Sequence, residues 1–161
     1  MHDLHEQQER LRTEMQKLRE RYELSRTVGP DYFEPGMMEY LDQSYGSFEE
    51  STGKMLLRFE VRGTRYEGRT ERIERVQTGD TLRILRDPDN RYNPNNFMIY
   101  SSQGHDLGNM PATLCDALAP LYDAGVVVLQ YARVSYVEPI SRRSRHAKQA
   151  ILFAELMLQL R

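Results

Sequence analysis

One cysteine, Cys115, is all the thiol chemistry in this chain of 161 residues. A lone thiol closes no internal disulfide, and no Cys/His spacing sets up a zinc site, so a reducing, cytoplasmic setting is expected. No stretch approaches the roughly 18 consecutive apolar residues of a membrane helix. The charged N-terminus lacks the apolar core of a secretory signal. The glycine-rich loop with which nucleotide-binding folds cradle phosphates is also missing. His2, His5, His105 and His146 fall in no catalytic spacing. Cys115 lies among apolar residues of a predicted helix, where a packed thiol is expected rather than a nucleophile beside a base. These absences leave no catalytic residue and no cofactor to expect, and no set of residues supports an enzyme.

Charge is nearly balanced, with 22 Lys/Arg against 24 Asp/Glu, but it is unevenly placed. Residues 1–50 hold 6 basic and 12 acidic side chains, whereas residues 51–161 hold 16 basic and 12 acidic. A mildly basic domain of that kind accommodates polyanions. The acidic front half divides in two. Residues 1–26 form a predicted amphipathic helix, in which Leu4, Leu11 and Leu18 recur every seven residues with Met15 and Tyr22 between them. So narrow a seam suits docking on the same domain, self-association or a protein partner. Residues 27–53 read as an acidic, aromatic linker punctuated by Gly29-Pro30 and Pro35-Gly36, with a short helix at 37–43. Its aromatics (Tyr32, Phe33, Tyr40, Tyr45, Phe48) exceed what a disordered linker carries, so part of it should pack on the domain.

From residue 54 to 161 the apolar period becomes two. Leu57, Phe59 and Val61 alternate with Arg58, Glu60 and Arg62, as in a half-buried strand. Further strands are expected at 69–76, 81–86, from 97, at 105–108, at 126–136 and at 150–158. The last also suits a helix, but its alternation favours a strand. Pro111 to Asp123 reads as helical, with Gly125 past its end, and Pro120 is expected to kink or divide it. Five to seven short strands and one kinked helix predict a mainly β fold, a small, partly open β-barrel of the OB-like or SH3-like kind, preceded by the N-terminal helix.

Two polar stretches stand out. Residues 86–96 read RDPDNRYNPNN, too polar and too broken for a core element, with Tyr92 as their one ring. Asn and Pro are ordinary turn residues, yet Asn and Asp also hydrogen-bond sugars and base edges. A calcium loop beginning at Asp87 fails, because its sixth position would be Tyr92 instead of Gly and its twelfth Met98 instead of Glu. Arg65-Tyr66, after the Gly63-Thr64 turn, pairs a phosphate-binding cation with a ring able to stack on a base. A third stretch, Arg142, Arg143, Arg145, His146 and Lys148, reads as a solvated hairpin tip with the capacity to meet phosphates.

The order of these motifs resembles the HIRAN domain family over about residues 56–158. The series runs Val61-Arg62-Gly63-Thr64-Arg65-Tyr66, Gly79-Asp80-Thr81-Leu82-Arg83-Ile84, the 86–96 stretch, Gly104, Leu107-Gly108-Asn109-Met110-Pro111 and Ala117-Leu118-Ala119-Pro120-Leu121. The resemblance implies an OB-like β-barrel that grips single-stranded DNA at a free 3′ end without catalysis. It implies a site of Arg65, Tyr66, Asn90, Tyr92, Asn93, Asn109 and Met110. Tyr66 would stack on a terminal base, Asn90, Tyr92 and Asn93 would close around the last nucleotide, and Asn109, Met110 and Pro111 would touch bases and backbone. The family usually places Asp where this chain has Asn93, and often Lys or Arg where it has Ala112. A neutral acceptor at Asn93 implies a weaker bond to a 3′-hydroxyl than a carboxylate would make. The alternative expectation is a protein-interaction module on the same fold with a weakened DNA site.

Overall fold

The computed structural model of the chain describes residues 6, 8–14, 16, 17, 47–49 and 51–160. Among the described residues seven strands form two antiparallel sheets. In the first, the order is β1 (Ser47–Glu49), β2 (Lys54–Glu60), β7 (Ile151–Leu160), β6 (Val127–Glu138). In the second it is β3 (Leu82–Arg86), β4 (Phe97–Ser101), β5 (Asp106–Asn109). Helix α1 (Arg69–Ile73) follows β2, and α2 (Ala112–Asp123) connects β5 to β6. Two isolated bridges, Arg62 with Asn109 and Thr81 with Arg133, join the sheets at their seams. The expected OB-like barrel therefore takes the form of two facing sheets and is not closed by continuous ladders.

The strand pattern follows from burial. In β2, Met55, Leu57 and Phe59 point inward while Lys54 is exposed and Arg58 half-buried. β7 lies between β2 and β6, and from Ile151 to Leu156 every residue is buried. A strand covered on both faces loses clean alternation, which explains why its sequence also suited a helix. Its one acid, Glu155, is 2% exposed. It stands opposite Arg58 on β2 and Arg133 on β6 in the ladders, and it accepts a hydrogen bond from the Nε of each. Charge neutralisation across three strands is what allows a carboxylate at that depth.

One expected strand is a helix. Residues 69–76 were expected to extend, but Arg69–Ile73 forms α1. Arg69 and Arg72 both reach Asp106, through its carboxylate and its carbonyl respectively. Side chains three apart share a helix face, whereas in a strand they would point to opposite sides. The turn into α1 uses positive φ at Glu67 (55°) and Gly68 (76°). Of the two outcomes expected at Pro120, division does not occur: α2 runs as one element from Ala112 to Asp123, with Pro120 inside its last turn. There the proline removes a single bond near the helix end instead of dividing the helix.

The core gathers the inward faces of β2, β4, β6, β7 and α2, with Phe59, Phe97 and Ile99 fully buried. Burying each such side chain contributes about 1.5–3 kcal/mol. Leu11 is 0% exposed and belongs to this cluster, in a segment that is helical at residues 8–14. At that point the predicted N-terminal seam docks on its own domain. Leu4, Met15, Leu18 and Tyr22 of the seam lie outside the described residues, as does the helix expected at 37–43. Within the stretch read as a linker, β1 pairs with β2, from Ser47 with Leu56 to Glu49 with Lys54.

Candidate nucleic-acid interface

The turn after β2 presents Arg65 and Tyr66. Tyr66 is 57% exposed, and the Arg65 guanidinium lies 5.1 Å from its ring centre. The turn is held from below. Arg69, itself buried, donates to both oxygens of Asp106 (3.2 and 3.1 Å) and to the Gly63 carbonyl (3.2 Å). Thr64 donates to the Ala150 carbonyl at 3.0 Å, and Thr70 to the Thr64 carbonyl at 2.6 Å. The Thr64 bond also ties the end of the basic connection, at Ala150, to the turn that carries Tyr66. In that connection Arg142, Arg145, His146 and Lys148 are exposed, while Arg143 donates to the Gln149 carbonyl at 2.8 Å.

The second ring stands on the 87–96 loop. Tyr92 is 86% exposed, with the Arg91 guanidinium 5.4 Å from its ring centre. The loop is ordered by its own amides. The Asn90 side-chain oxygen accepts from the backbone N–H of Tyr92 (2.9 Å) and Asn93 (3.0 Å), while its Nδ2 donates to Asp87 (2.9 Å). That is an Asx-type turn, with the side chain standing in for backbone. Asn93 and Asn95 both donate to Oδ1 of Asp116 on α2, at 3.1 and 3.2 Å. At the loop's entry Arg86 forms a two-pronged pair with Asp123 (2.9 and 3.0 Å) and donates to the Pro94 and Asn96 carbonyls.

A continuous set of contacts joins the two loops. Asn96, almost fully buried, donates through Nδ2 to Asp87 (3.1 Å) and to Asn109 (3.0 Å). The backbone of Asn109 exchanges hydrogen bonds with Arg62 at 2.8 and 2.9 Å, one residue before the Gly63 turn. Gly108 permits this approach. A Cβ there would lie 2.5 Å from the Arg62 carbonyl oxygen, at a φ of 147° that favours glycine.

The seven expected site residues thus divide. Arg65, Tyr66 and Tyr92 are exposed and available to a ligand. Asn90 has both lone pairs of its side-chain oxygen occupied by the loop, so its place is structural. Asn93, half-buried, holds the loop to α2 and retains one amide hydrogen and one lone pair beyond its bonds to Asp116 and Asn95. Asn109 is the link between loops. Met110 is 2% exposed and packs in the core, which leaves its side chain no surface to offer a base. Sequence reading passed over Arg69, Arg86, Asn96, Asp106 and Asp116, the groups that fix the rings. No periodic signal marks a buried charge or amide, so only their partners reveal them.

Two titratable groups around α2 carry predictions. Burial raises the Cys115 thiol to about 11. It should therefore resist alkylation near pH 8 in the folded protein and react once denaturant is added; fast native labelling would contradict its packing. The hydrogen bonds from Arg86 hold the Asp123 carboxyl below its ordinary value of 3.8. The pair accordingly stabilises the fold above that pH and loses its contribution as the pH falls through the lowered value. In thermal melts across the acid range, Asp123→Asn should flatten the decline below about pH 4 while lowering the plateau above it.

The sequence from residue 54 to 150, well over half of the chain, matches the family model of the HIRAN domain. Among solved structures, the crystal structure of the HIRAN domain of human HLTF is 21% identical, with a TM-score of 0.48 over 65% of this chain and 76% of that one. A Lactobacillus plantarum protein is 19% identical, with a TM-score of 0.49 over 65% of this chain and 98% of that one. An NMR structure of the HLTF HIRAN domain in its DNA-bound conformation is 20% identical, with a TM-score of 0.44 over 65% and 75%. No curated protein matches. The ordered motifs, the two-sheet architecture built on them and the match across β2 to β6 together place this chain in the HIRAN domain family.

Proposed function

We propose that this chain is a non-catalytic module that binds single-stranded DNA, with preference for a free 3′ end. The observation that carries the reading is the pair of exposed rings, Tyr66 and Tyr92. Each lies under an arginine, and each stands on a loop whose backbone is fixed from beneath. A ring carried on a fixed backbone leaves only its own side-chain rotations to be lost when a base stacks on it, and stacking contributes about 1–3 kcal/mol per base. Arg65, Arg91 and the exposed cations of 142–148 supply charge for the phosphates. Asn93, with its remaining donor and acceptor, is the group nearest in kind to a partner for a terminal hydroxyl. Family membership supports the same reading.

The test is fluorescence anisotropy with short single strands carrying a free or a blocked 3′ end, at two salt concentrations. A strand with a free end should bind more tightly, and both should weaken as salt rises. If neither strand binds above background, the reading fails. If blocking the end changes nothing, end preference fails and strand binding survives.

A further inference from the structure

The loop that carries Tyr92 rests on a carboxylate from outside it. Asp116 stands on α2, and both of its hydrogen bonds, from the side-chain amides of Asn93 and Asn95 at 3.1 and 3.2 Å, fall on one oxygen, Oδ1. Among the described residues the second oxygen, Oδ2, receives no bond and is not sealed from solvent. No cation pairs with Asp116 among those residues either, so its negative charge is met by neutral amides alone. The side chain is half-buried, and Asn93 directly follows the exposed Tyr92. A carboxylate oxygen without a donor is thus attached, through Asn93, to the residue next to the proposed stacking ring.

The acids of the loop itself are placed differently. Asp87 accepts from Asn90 and from the nearly buried Asn96, which commits it to the loop's own framework. Asp89 is exposed, and no amide of the loop holds it. Asn93 complements Asp116, because its Nδ2 gives one hydrogen to Oδ1 and keeps the other. The spare N–H and the free Oδ2 offer one donor and one acceptor. A hydroxyl both accepts and donates, so it satisfies the pair. A terminal phosphate chiefly accepts, and it brings about −1.5 to −2 charges toward a carboxylate.

We propose that Asp116 is the residue that selects the chemistry of the strand terminus: its Oδ2 accepts a hydrogen bond from a terminal 3′-hydroxyl, and its charge turns away a 3′-phosphate. The inference rests on the 3′-end reading above and adds to it a residue of α2 that neither loop contains. A bond to a charged acceptor is stronger than one to a neutral amide, so the carboxylate supplies what the Asn93 carbonyl alone would not. A role as mere anchor of the loop needs only Oδ1. Asp116→Asn separates the two roles, because the amide keeps an oxygen for Asn93 and Asn95 and puts an NH2 group in the place of Oδ2.

Fluorescence anisotropy on the full chain compares one short thymidine strand made with a 3′-hydroxyl, with no 3′ oxygen, or with a 3′-phosphate. The parent should bind the hydroxyl strand most tightly and the phosphate strand least. Asp116→Asn should bind the hydroxyl strand about tenfold more weakly or worse, change little toward the strand lacking the oxygen, and gain toward the phosphate strand. A parental melting temperature would show that the loop is still anchored. Asp89→Asn, which removes an exposed charge of the same loop, should keep the parental order. The exchange of Asn93→Asp with Asp116→Asn retains an amide–carboxylate pair and should regain the preference for the hydroxyl. If the parent binds all three strands equally, the end reading fails and the proposal with it. If the parent ranks them and Asp116→Asn ranks them with the same ratios, Asp116 alone is overturned and the end reading survives. An equal loss toward all three strands would make Asp116 only an anchor. Loss of the ranking in Asp89→Asn would make the effect one of general charge. Either result overturns the proposal.

Discussion

Replacing Tyr92 with alanine is expected to weaken binding of a short DNA single strand by about 5- to 150-fold, the equivalent of about 1–3 kcal/mol for one stacked base. The ring is 86% exposed, so removing it takes nothing from the core. Stability should change by less than about 0.5 kcal/mol, as for other surface substitutions away from special features. The loop should keep its shape, because it is Asn90 that bonds the backbone of residues 92 and 93. Tyr92→Phe should retain most of the affinity, since a stacked base meets the ring face and not the hydroxyl. Tyr66→Ala is expected to act similarly, and the double variant should show nearly the sum of both effects if each ring holds a different base. Anisotropy titrations and thermal melts of these four variants beside the parent decide the matter. An alanine variant that melts like the parent and binds like the parent would remove the ring from the interface.

What was legible in the sequence followed from periodicity. β2, β3 and β4 alternate because one face meets the core and the other meets solvent, and a period of two records that directly. β7 was harder to read, because its central place in the sheet buries both faces and the alternation fades into a nearly continuous apolar run. The helix at Arg69–Ile73 left no readable signal. Its sequence, RTERI, holds one aliphatic residue, and its helical form is tied to Asp106, more than thirty residues away. Long-range partners of this kind override local propensity. The site followed the same division. Tyr66 and Tyr92 could be picked out as aromatics in polar surroundings. Asn90 and Asn93 could be picked out as amides, but not as amides already engaged by their own loop and by Asp116. Met110 could be placed beside the site in the chain, while its direction, inward, depended on how β5 enters α2.

Arg69→Ala is the substitution expected to damage both fold and site. Arg69 is 6% exposed, and its guanidinium is the shared partner of the Asp106 carboxylate and the Gly63 carbonyl. Removing it strands the carboxylate in a partly buried place and frees the turn that presents Tyr66. Breaking a buried pair from one side typically costs about 3–5 kcal/mol. Asp106 keeps some contact with solvent, its side chain being 23% exposed, so the lower end of that range is expected here. Arg69→Lys should recover little, because a single ammonium cannot reproduce a fork that meets both carboxylate oxygens and a carbonyl. Asp106→Asn should cost less than Arg69→Ala, since a neutral amide keeps one acceptor for the guanidinium. Denaturant melts would give the stability order, with the alanine variant lowest. Strand binding, measured where every variant is still folded, would then show whether the loosened turn also weakens Tyr66 stacking. If Arg69→Ala melted with the parent, the clamp beneath Tyr66 would not be what holds that loop.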